Sequence, residues 1–595
     1  MVTWPLYAEQ FFNERLIVDV LRIGVPVGAT MYAFLPAERP VIEGAQIETA
    51  VRKAMGGGEK AAEMRKRARE LAEAAKRAME PGGSSYVDLT NLIQDSDYLA
   101  RRPLHVVFFP FMATGHMPPM VDMANLFAAR GGVATTIVAT PANAPLIDSR
   151  RLPGANISLR ILPFPSPALT GLPPGIENIA ELSDLDSVNR FMVAVPGLRE
   201  PFSRLLREIR PVDAVISDYF FPWTIPVAEE LGIPRLVFHG TGFFALCATA
   251  APATPLGSSD TVVLGSLPSR VVMLRSQMPD RGKSPPAFRE LFGEIATTEG
   301  RSFGTVVNSF YELEPDYIRH FREAMGHRAW HVGPIALFGR DGALLQRRLH
   351  PKEKQEDEEA QERKEQAYEP TGSSSYLIEW LDRNRPGSVI YVCFGSMGRL
   401  GATQLTQLAF GLEASGCPFI WVVRDSDDDD AEWLPHGFKE RVEDRGLVLK
   451  GWAPQTLILG HPSVGGFITH CGWNSCLEGV VAGVPMVTWP LYAEQFFNER
   501  LIVDMLRIGM PVGATKFALL PEERPVIEGA QIKTVVRKAM GGGEEEAALA
   551  AAEMRRRARE LAEAAKRAME PGGSSYVDLA NLIQELMDRR LAVKD

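Results

Sequence analysis

Cysteine is scarce in this chain. The five present (Cys247, Cys393, Cys417, Cys471 and Cys476) are an odd number without CxxC spacing, which argues against a disulfide framework and supplies no zinc-ligand pattern. Basic charge is in deficit too. With a formal net charge of −10, the surface has little electrostatic grip on phosphate backbones or anionic membranes, so nucleic acid is not an expected partner. Long apolar runs are missing: no window of about 18 residues is free of charges, prolines or clustered polar groups, so membrane insertion is not expected. Glu9, Glu14 and Asp19 stand where a signal peptide would carry its apolar core. No early strand is followed by GxGxxG, which disfavours a dinucleotide-dependent dehydrogenase or epimerase. A soluble, cytoplasmic monomer is expected.

At 595 residues, 46% apolar and 23% charged, the chain has room for three or four domain-sized units. Its opening is repeated near its end. Residues 1–58 align without a gap on 486–543, and 62–94 on 552–584 after a five-residue insertion around Glu545 to Ala550. Differences such as Val20 against Met505, Met31 against Lys516 and Thr90 against Ala580 are few. Stacked arrays need at least three units of one period, so two copies at opposite ends read as a partial duplication. Residues 1–96 are expected to be a non-catalytic duplicate of the C-terminal region, with Trp4, Glu9 and Gln10 but nothing matching Trp452, His470 or Ser475.

From Leu104 short apolar runs alternate with helical patterns: LHVVFFPF before PPMVDMANLFAARG, then VATTIVATP, DAVISDYF before PWTIPVAEELG, RLVFHGT and SFGTVVNSFYELEP. Runs of that length, apolar on both faces, suit buried parallel strands with crossover helices, a doubly wound α/β domain over 97–340. Residues 341–375 are charge-dense and end in a Gly/Ser run, as an exposed linker does. The rhythm resumes in SVIYVCFGS, PFIWVVR, GLVLKGW and VGGFITH, giving a second α/β domain over 376–595. Two such domains face each other across a cleft.

Residues 452–495, WAPQTLILGHPSVGGFITHCGWNSCLEGVVAGVPMVTWPLYAEQ, concentrate the chemistry. A glycine-containing strand runs straight into a helix, so the backbone N–H groups of Trp473 to Ser475 form a helix N-terminus that attracts a diphosphate. Ser475 and Asn474 add side-chain donors, His470 ends the strand, and Glu478 lies one turn on where it suits the vicinal hydroxyls of a ribose. Trp452 can stack on a planar base, and Glu494 with Gln495 can bond several sugar hydroxyls. In the first domain, His116 falls in the turn after the first strand and before the helix entered at Pro118. A helix N-terminus there should disfavour the imidazolium, as a general base requires. Asp218 ends the strand DAVIS at the same sheet edge and would orient that imidazole.

This segment resembles, over its full length, the plant secondary-product signature of the family 1 UDP-glycosyltransferases. Further similarity lies in FGS at Phe394 to Ser396, NSFYELEP at Asn308 to Pro315, HVGP at His331 to Pro334, and FPFMATGHMPPMVDMANLFAARG at Phe109 to Gly131. The resemblance implies the GT-B fold, two Rossmann-like domains with the final helix, near Tyr576 to Met587, returning to the first. It implies His116 as base and Asp218 as its partner. On the donor side Trp452 would stack on uracil with Ala453 beside it, and Gln455 and Glu478 would hold ribose. Ser396, His470, Asn474 and Ser475 would hold the diphosphate, with Gly472 also on the donor side; Trp473, Glu494 and Gln495 would contact the sugar, the terminal Gln favouring glucose over galactose. The implied reaction is inverting transfer from UDP-glucose to a hydroxyl of a flavonoid, coumarin or other small phenolic or terpenoid acceptor, with no metal and no cofactor. Phe111, Met112, Phe220, Phe221, His239, Phe243 and Phe244 are expected walls of the acceptor pocket. An alternative is a catalytically silent UDP-binding protein whose duplicated segment perturbs the cleft.

Other motifs are set aside. Asp427 to Asp430 suit a solvated loop better than a metal site. DRGKS ending at Ser284 has Gln277 where a P-loop needs glycine, and FGSMG at Phe394 lacks the first glycine of a nucleophile elbow.

Overall fold

Where both copies are described, the repeated sequence takes the same local structure twice. The structure, a computed structural model, describes residues 1–6, 8–31, 33, 39–80, 83–86, 102–182, 184–257, 260–279, 282, 284–338, 374–424 and 433–592. The expected linker over 341–375 lies almost wholly outside these, as do Asp427 to Asp430. Two compact units divide the chain, residues 1–102 and 103–595. In the first, β1 (Val2–Thr3) pairs in parallel with β2 (Val25–Pro26), with helix α1 (Gln10–Arg15) between them and α2 (Glu59–Met79) further on. Gln10 accepts from the Leu6 N–H at 2.9 Å as Gln495 does from Leu491 at 2.8 Å. Thr3 donates to Glu14 at 2.6 Å as Thr488 does to Glu499 at 2.7 Å. Local sequence thus dictates local geometry in both copies. Burial is not reproduced: Trp4, Phe12 and Leu16 are 49%, 79% and 48% exposed, against 3%, 2% and 2% for Trp489, Phe497 and Leu501. The copy has the turns and helices of the C-terminal segment without the sheet that covers them there.

In the second unit the apolar runs become two parallel sheets. Strands β3 (Leu104–Phe109), β4 (Val133–Ala139), β5 (Ile157–Ile161), β6 (Ala214–Asp218) and β7 (Arg235–Phe238) join β11 (Gly304–Val307) and β12 (Ala329–His331). Their order is β12-β11-β7-β6-β3-β4-β5. The chain leaves β3 toward β4 and β5, then returns to build outward from β6, so strand order reverses between β3 and β6. That is the crevice where doubly wound sheets bind ligands. Helix α3 (Met117–Ala128) follows β3 directly, and α4 (Phe243–Ala250) follows β7. Between α4 and β11, β8 (Ala253–Pro255), β9 (Thr261–Leu264) and β10 (Val271–Leu274) make a small antiparallel sheet.

The second sheet comprises β13 (Val389–Cys393), β14 (Phe419–Val423), β15 (Gly446–Lys450), β16 (Val464–Thr469), β17 (Met486–Thr488) and β18 (Gly509–Pro511). Their order, β15-β14-β13-β16-β17-β18, reverses between β13 and β16. Helices α5 (Trp473–Ala482), α6 (Gln495–Arg500) and α7 (Glu545–Met569) flank it. The last helix, α8 (Ser574–Ala592), packs on the first sheet: Leu579, Leu582 and Leu586 share a core with Val106, Phe108 and Ile216. A single apolar cluster also joins Phe243, Phe244 and Phe310 of the first domain to Trp473, Cys476 and Phe497 of the second. That shared core and the returning helix weld residues 103–595 into one body.

Candidate active site

His116 and Asp218 sit on either side of the first sheet's reversal point. β3 and β6 are hydrogen-bonded neighbours, Phe109 opposite Ser217, so the turn after β3 and the end of β6 share one edge. His116 is the N-cap of α3, and its Nδ1 lies 2.7 Å from Asp218 Oδ2. The other Asp218 oxygen accepts the Phe220 N–H at 3.0 Å. An ionised carboxylate only accepts, so in the neutral ring Nδ1 carries the proton and Nε2 keeps its lone pair. Burial pushes the imidazole pKa down, but Asp218, through charge and hydrogen bond, and then Glu494 outweigh it. The pKa of His116 stands above its ordinary value. This corrects the sequence expectation, in which the helix N-terminus set the balance.

The donor-side residues gather at the other reversal point. Trp452, at the end of β15, presents an indole that is 64% exposed, with buried Ala453 beside it. Gln455 Nε2 donates to Glu478 Oε2 at 2.5 Å and to Ser475 Oγ at 3.2 Å, while Tyr391 donates to Gln455 Oε1 at 3.3 Å. Burial lifts the Glu478 pKa despite the Gln455 bond. His470 is held between glycines: a Cβ on Gly395 would stand 2.6 Å from its ring, and one on Gly472 would also collide with it. Burial pushes its pKa down to about 4, so near pH 7 it is a neutral hydrogen-bonding group rather than a cation, and its buried Nδ1 has no partner among the described residues. Gly472 caps α5, and Ser396 stands exposed in the turn after β13.

Several of these groups do more than face a ligand. Asn474 Nδ2 donates to the Gly115 carbonyl at 2.7 Å, tying the start of α5 to the loop that carries His116. Trp473 departs from expectation: its indole is buried and donates to the Asn308 carbonyl at 2.7 Å, so its side chain serves the interdomain core, and its backbone N–H bonds Glu494. Gln495 is also buried, its Oε1 committed to the N–H groups of Leu491 and Tyr492 at 2.8 and 3.1 Å. That oxygen holds the 491–495 loop. Glu494 sits between α5 and His116, its pKa raised by burial.

With this geometry in place, comparison with known proteins is direct. Residues 377–509 match the UDP-glucoronosyl and UDP-glucosyl transferase family. The chain is 42% identical to an anthocyanin 3'-O-beta-glucosyltransferase of Gentiana triflora over 81% of its own length and 98% of that enzyme. It is 40% identical to a scopoletin glucosyltransferase of Nicotiana tabacum, again over 81% and 98%. The chain belongs to the UDP-glycosyltransferase family. Among solved structures, Glycyrrhiza uralensis UGT73P12 complexed with glycyrrhetinic acid 3-O-monoglucuronide is 37% identical, covering 82% of this chain and 97% of that one, with a TM-score of 0.70. Phytolacca americana UGT2 complexed with UDP-2fluoro-glucose and pterostilbene is 28% identical, covering 81% and 100%, with a TM-score of 0.62.

In this UDP-glycosyltransferase the aromatic residues of the first domain differ in how near they lie to His116. Phe111 and Phe220 border the base, their rings 5.8 and 5.5 Å from the His116 imidazole. Met112 is buried behind them. His239 is paired with Glu299 and stacks on Tyr219 with centroids 5.2 Å apart. Phe221, Phe243 and Phe244 are core, not wall. Phe221 packs on Phe109 and Trp223, and the other two begin α4 with their N–H groups on Glu314 at 3.2 and 2.7 Å. All three have no exposed surface. Sequence reasoning passed over Phe288, which meets Phe220 edge-on at 6.3 Å; its helix, Pro286–Thr298, has no fully buried residue. The amphipathic stretch FRELFGEI was the available signal.

Proposed function

We propose that the enzyme transfers glucose from UDP-glucose to a hydroxyl of a small aromatic acceptor, with inversion, and that His116 is the general base. The observation that carries this reading is the His116–Asp218 pair, tied through Gly115 and Asn474 to the helix terminus of the donor side. The relatives named for anthocyanin and scopoletin glucosylation support the donor and the acceptor class. The acceptor oxygen attacks the anomeric carbon as the bond to the UDP oxygen breaks, and its proton passes to His116 Nε2. Asp218 then faces an imidazolium it can stabilise. Charge on departing UDP falls on the N–H groups opening α5, on Ser475 and on neutral His470, a donor set that requires neither metal nor cofactor in the proposed reaction. Trp452 would hold uracil and Gln455 with Glu478 the ribose.

Because the pKa of His116 is raised, the base is neutral only above that raised value. The acidic limb of kcat/KM is expected to have its midpoint above the ordinary histidine pKa of about 6.5, and His116→Ala to lose about 10²-fold or more and abolish the limb. UDP-glucose, UDP-galactose and UDP-glucuronate should be compared on a phenolic panel, with the product anomer read by NMR and EDTA present. Abundant transfer by His116→Ala, an α-product, or inhibition by EDTA would each overturn part of the reading.

A further inference from the structure

We infer that Arg235 is a positioning residue which sets the basicity of His116 through Asp218. Arg235 opens β7, opposite Val215 of β6, and is buried. A long cation at that point can lie along the neighbouring strand, and this one does. Its Nε donates to Ser217 Oγ at 2.9 Å, one terminal nitrogen to Ser302 Oγ at 2.9 Å, and the other to the Asp218 carbonyl at 3.1 Å. Ser217 Oγ is itself fixed by Thr224 Oγ1 at 2.8 Å. The guanidinium is therefore held on three sides at the C-terminal end of β6, where Asp218 must stay aligned with the imidazole.

Two carboxylates act on this cation, Glu299 and Asp218, and burial still brings the Arg235 pKa down to about 10. It stays fully charged at neutral pH. Glu299 pairs with His239, so two histidine–carboxylate pairs, His116–Asp218 and His239–Glu299, share one buried guanidinium. The charged groups acting on His116 itself are Asp218 and, from the second domain, Glu494. A fixed positive charge beside Asp218 offsets part of the attraction that the carboxylate exerts on a charged imidazole, and so opposes the imidazolium. Arg235 thus restrains the upward shift that the carboxylates impose, and keeps more of the base neutral at a given pH.

The inference rests on His116 being the base, and the two can fail separately. Full-length enzyme, Arg235→Met and Arg235→Lys should be compared in the pH profile of kcat/KM and by NMR titration of the His116 Cε1–H signal. In Arg235→Met the acidic limb and the His116 titration should both move up by about half a unit to one unit, with activity recovering at high pH and KM for UDP-glucose unchanged. Arg235→Lys, which keeps the charge, should lie near wild type. A uniform rate loss with an unmoved limb and titration would reduce Arg235 to a structural role and overturn the inference. A wild-type limb that persists in His116→Ala would instead overturn the base assignment. Should Arg235→Met fail to fold, Ser302→Ala removes one of the three holds and should give a smaller shift of the same sign; no shift there counts against the inference.

Discussion

At the scale of single residues, His116 and His470 divide the work by environment. Both are partly or wholly enclosed, yet only His116 has carboxylates against it, whereas burial is the one influence resolved on His470. His470→Ala is therefore expected to cost about 10²-fold in kcat/KM through the lost hydrogen bond to leaving charge, with the shape of the pH profile between about pH 5.5 and 8 unchanged. A shifted limb in that variant would show that His470 carries charge in the reaction. The types and spacing of these side chains were legible in the sequence because the chemistry needs them near a strand end or a helix start. Their protonation was not, because it depends on partners more than a hundred positions away, such as Glu494 beside His116. Phe221, Phe243 and Phe244 were misjudged for a related reason: a phenylalanine near a strand end lines a pocket or fills a core according to which packed neighbour its ring meets. That the Gln495 oxygen is held by Leu491 and Tyr492 was not legible, because both donate from the backbone and have no mark in the sequence.

At the scale of elements, the glycines following β7 decide how closely the two halves meet. A Cβ on Gly242 would stand 2.6 Å from the Trp473 ring and 2.8 Å from Glu314. Both are buried and anchored by hydrogen bonds, so neither can yield cheaply. Gly242→Ala should destabilise the protein by about 1–3 kcal/mol, measured by urea unfolding, and weaken UDP-sugar binding as α5 is pushed out of place; an unchanged midpoint would mean that the helix shifts freely. The parallel strands were legible because both faces are buried and their runs are continuously apolar. The β8–β10 sheet was not, since its strands are short and lie among prolines and glycines that read as loop. The tie between Asn474 and Gly115 was equally hidden, because it depends on how two separately encoded loops come to face each other.

At the scale of the whole molecule, the duplicated segment shows what tertiary context adds to sequence. The residues described in both copies make the same turns, but only the C-terminal copy belongs to a six-stranded sheet that covers its aromatic and aliphatic side chains. Each large side chain left in water forgoes about 1.5–3 kcal/mol. A chain lacking residues 1–102 is expected to keep kcat/KM and to bind less of the dye ANS than the full chain; lost activity would give the segment a part in the reaction. The sequence repeat was legible, whereas the missing burial could not be read from residues identical in both copies. The returning helix α8 has a consequence for engineering. The half built on the first sheet is assembled from both sides of the other half in the primary structure, so its hydrophobic seal is supplied by the last helix rather than by neighbouring sequence. A hybrid that imports another enzyme's first half by a single crossover near residue 375 would set foreign strands against the resident leucines of 579, 582 and 586. Two crossovers, the second just ahead of Ser574, would let that half travel with its own closing piece.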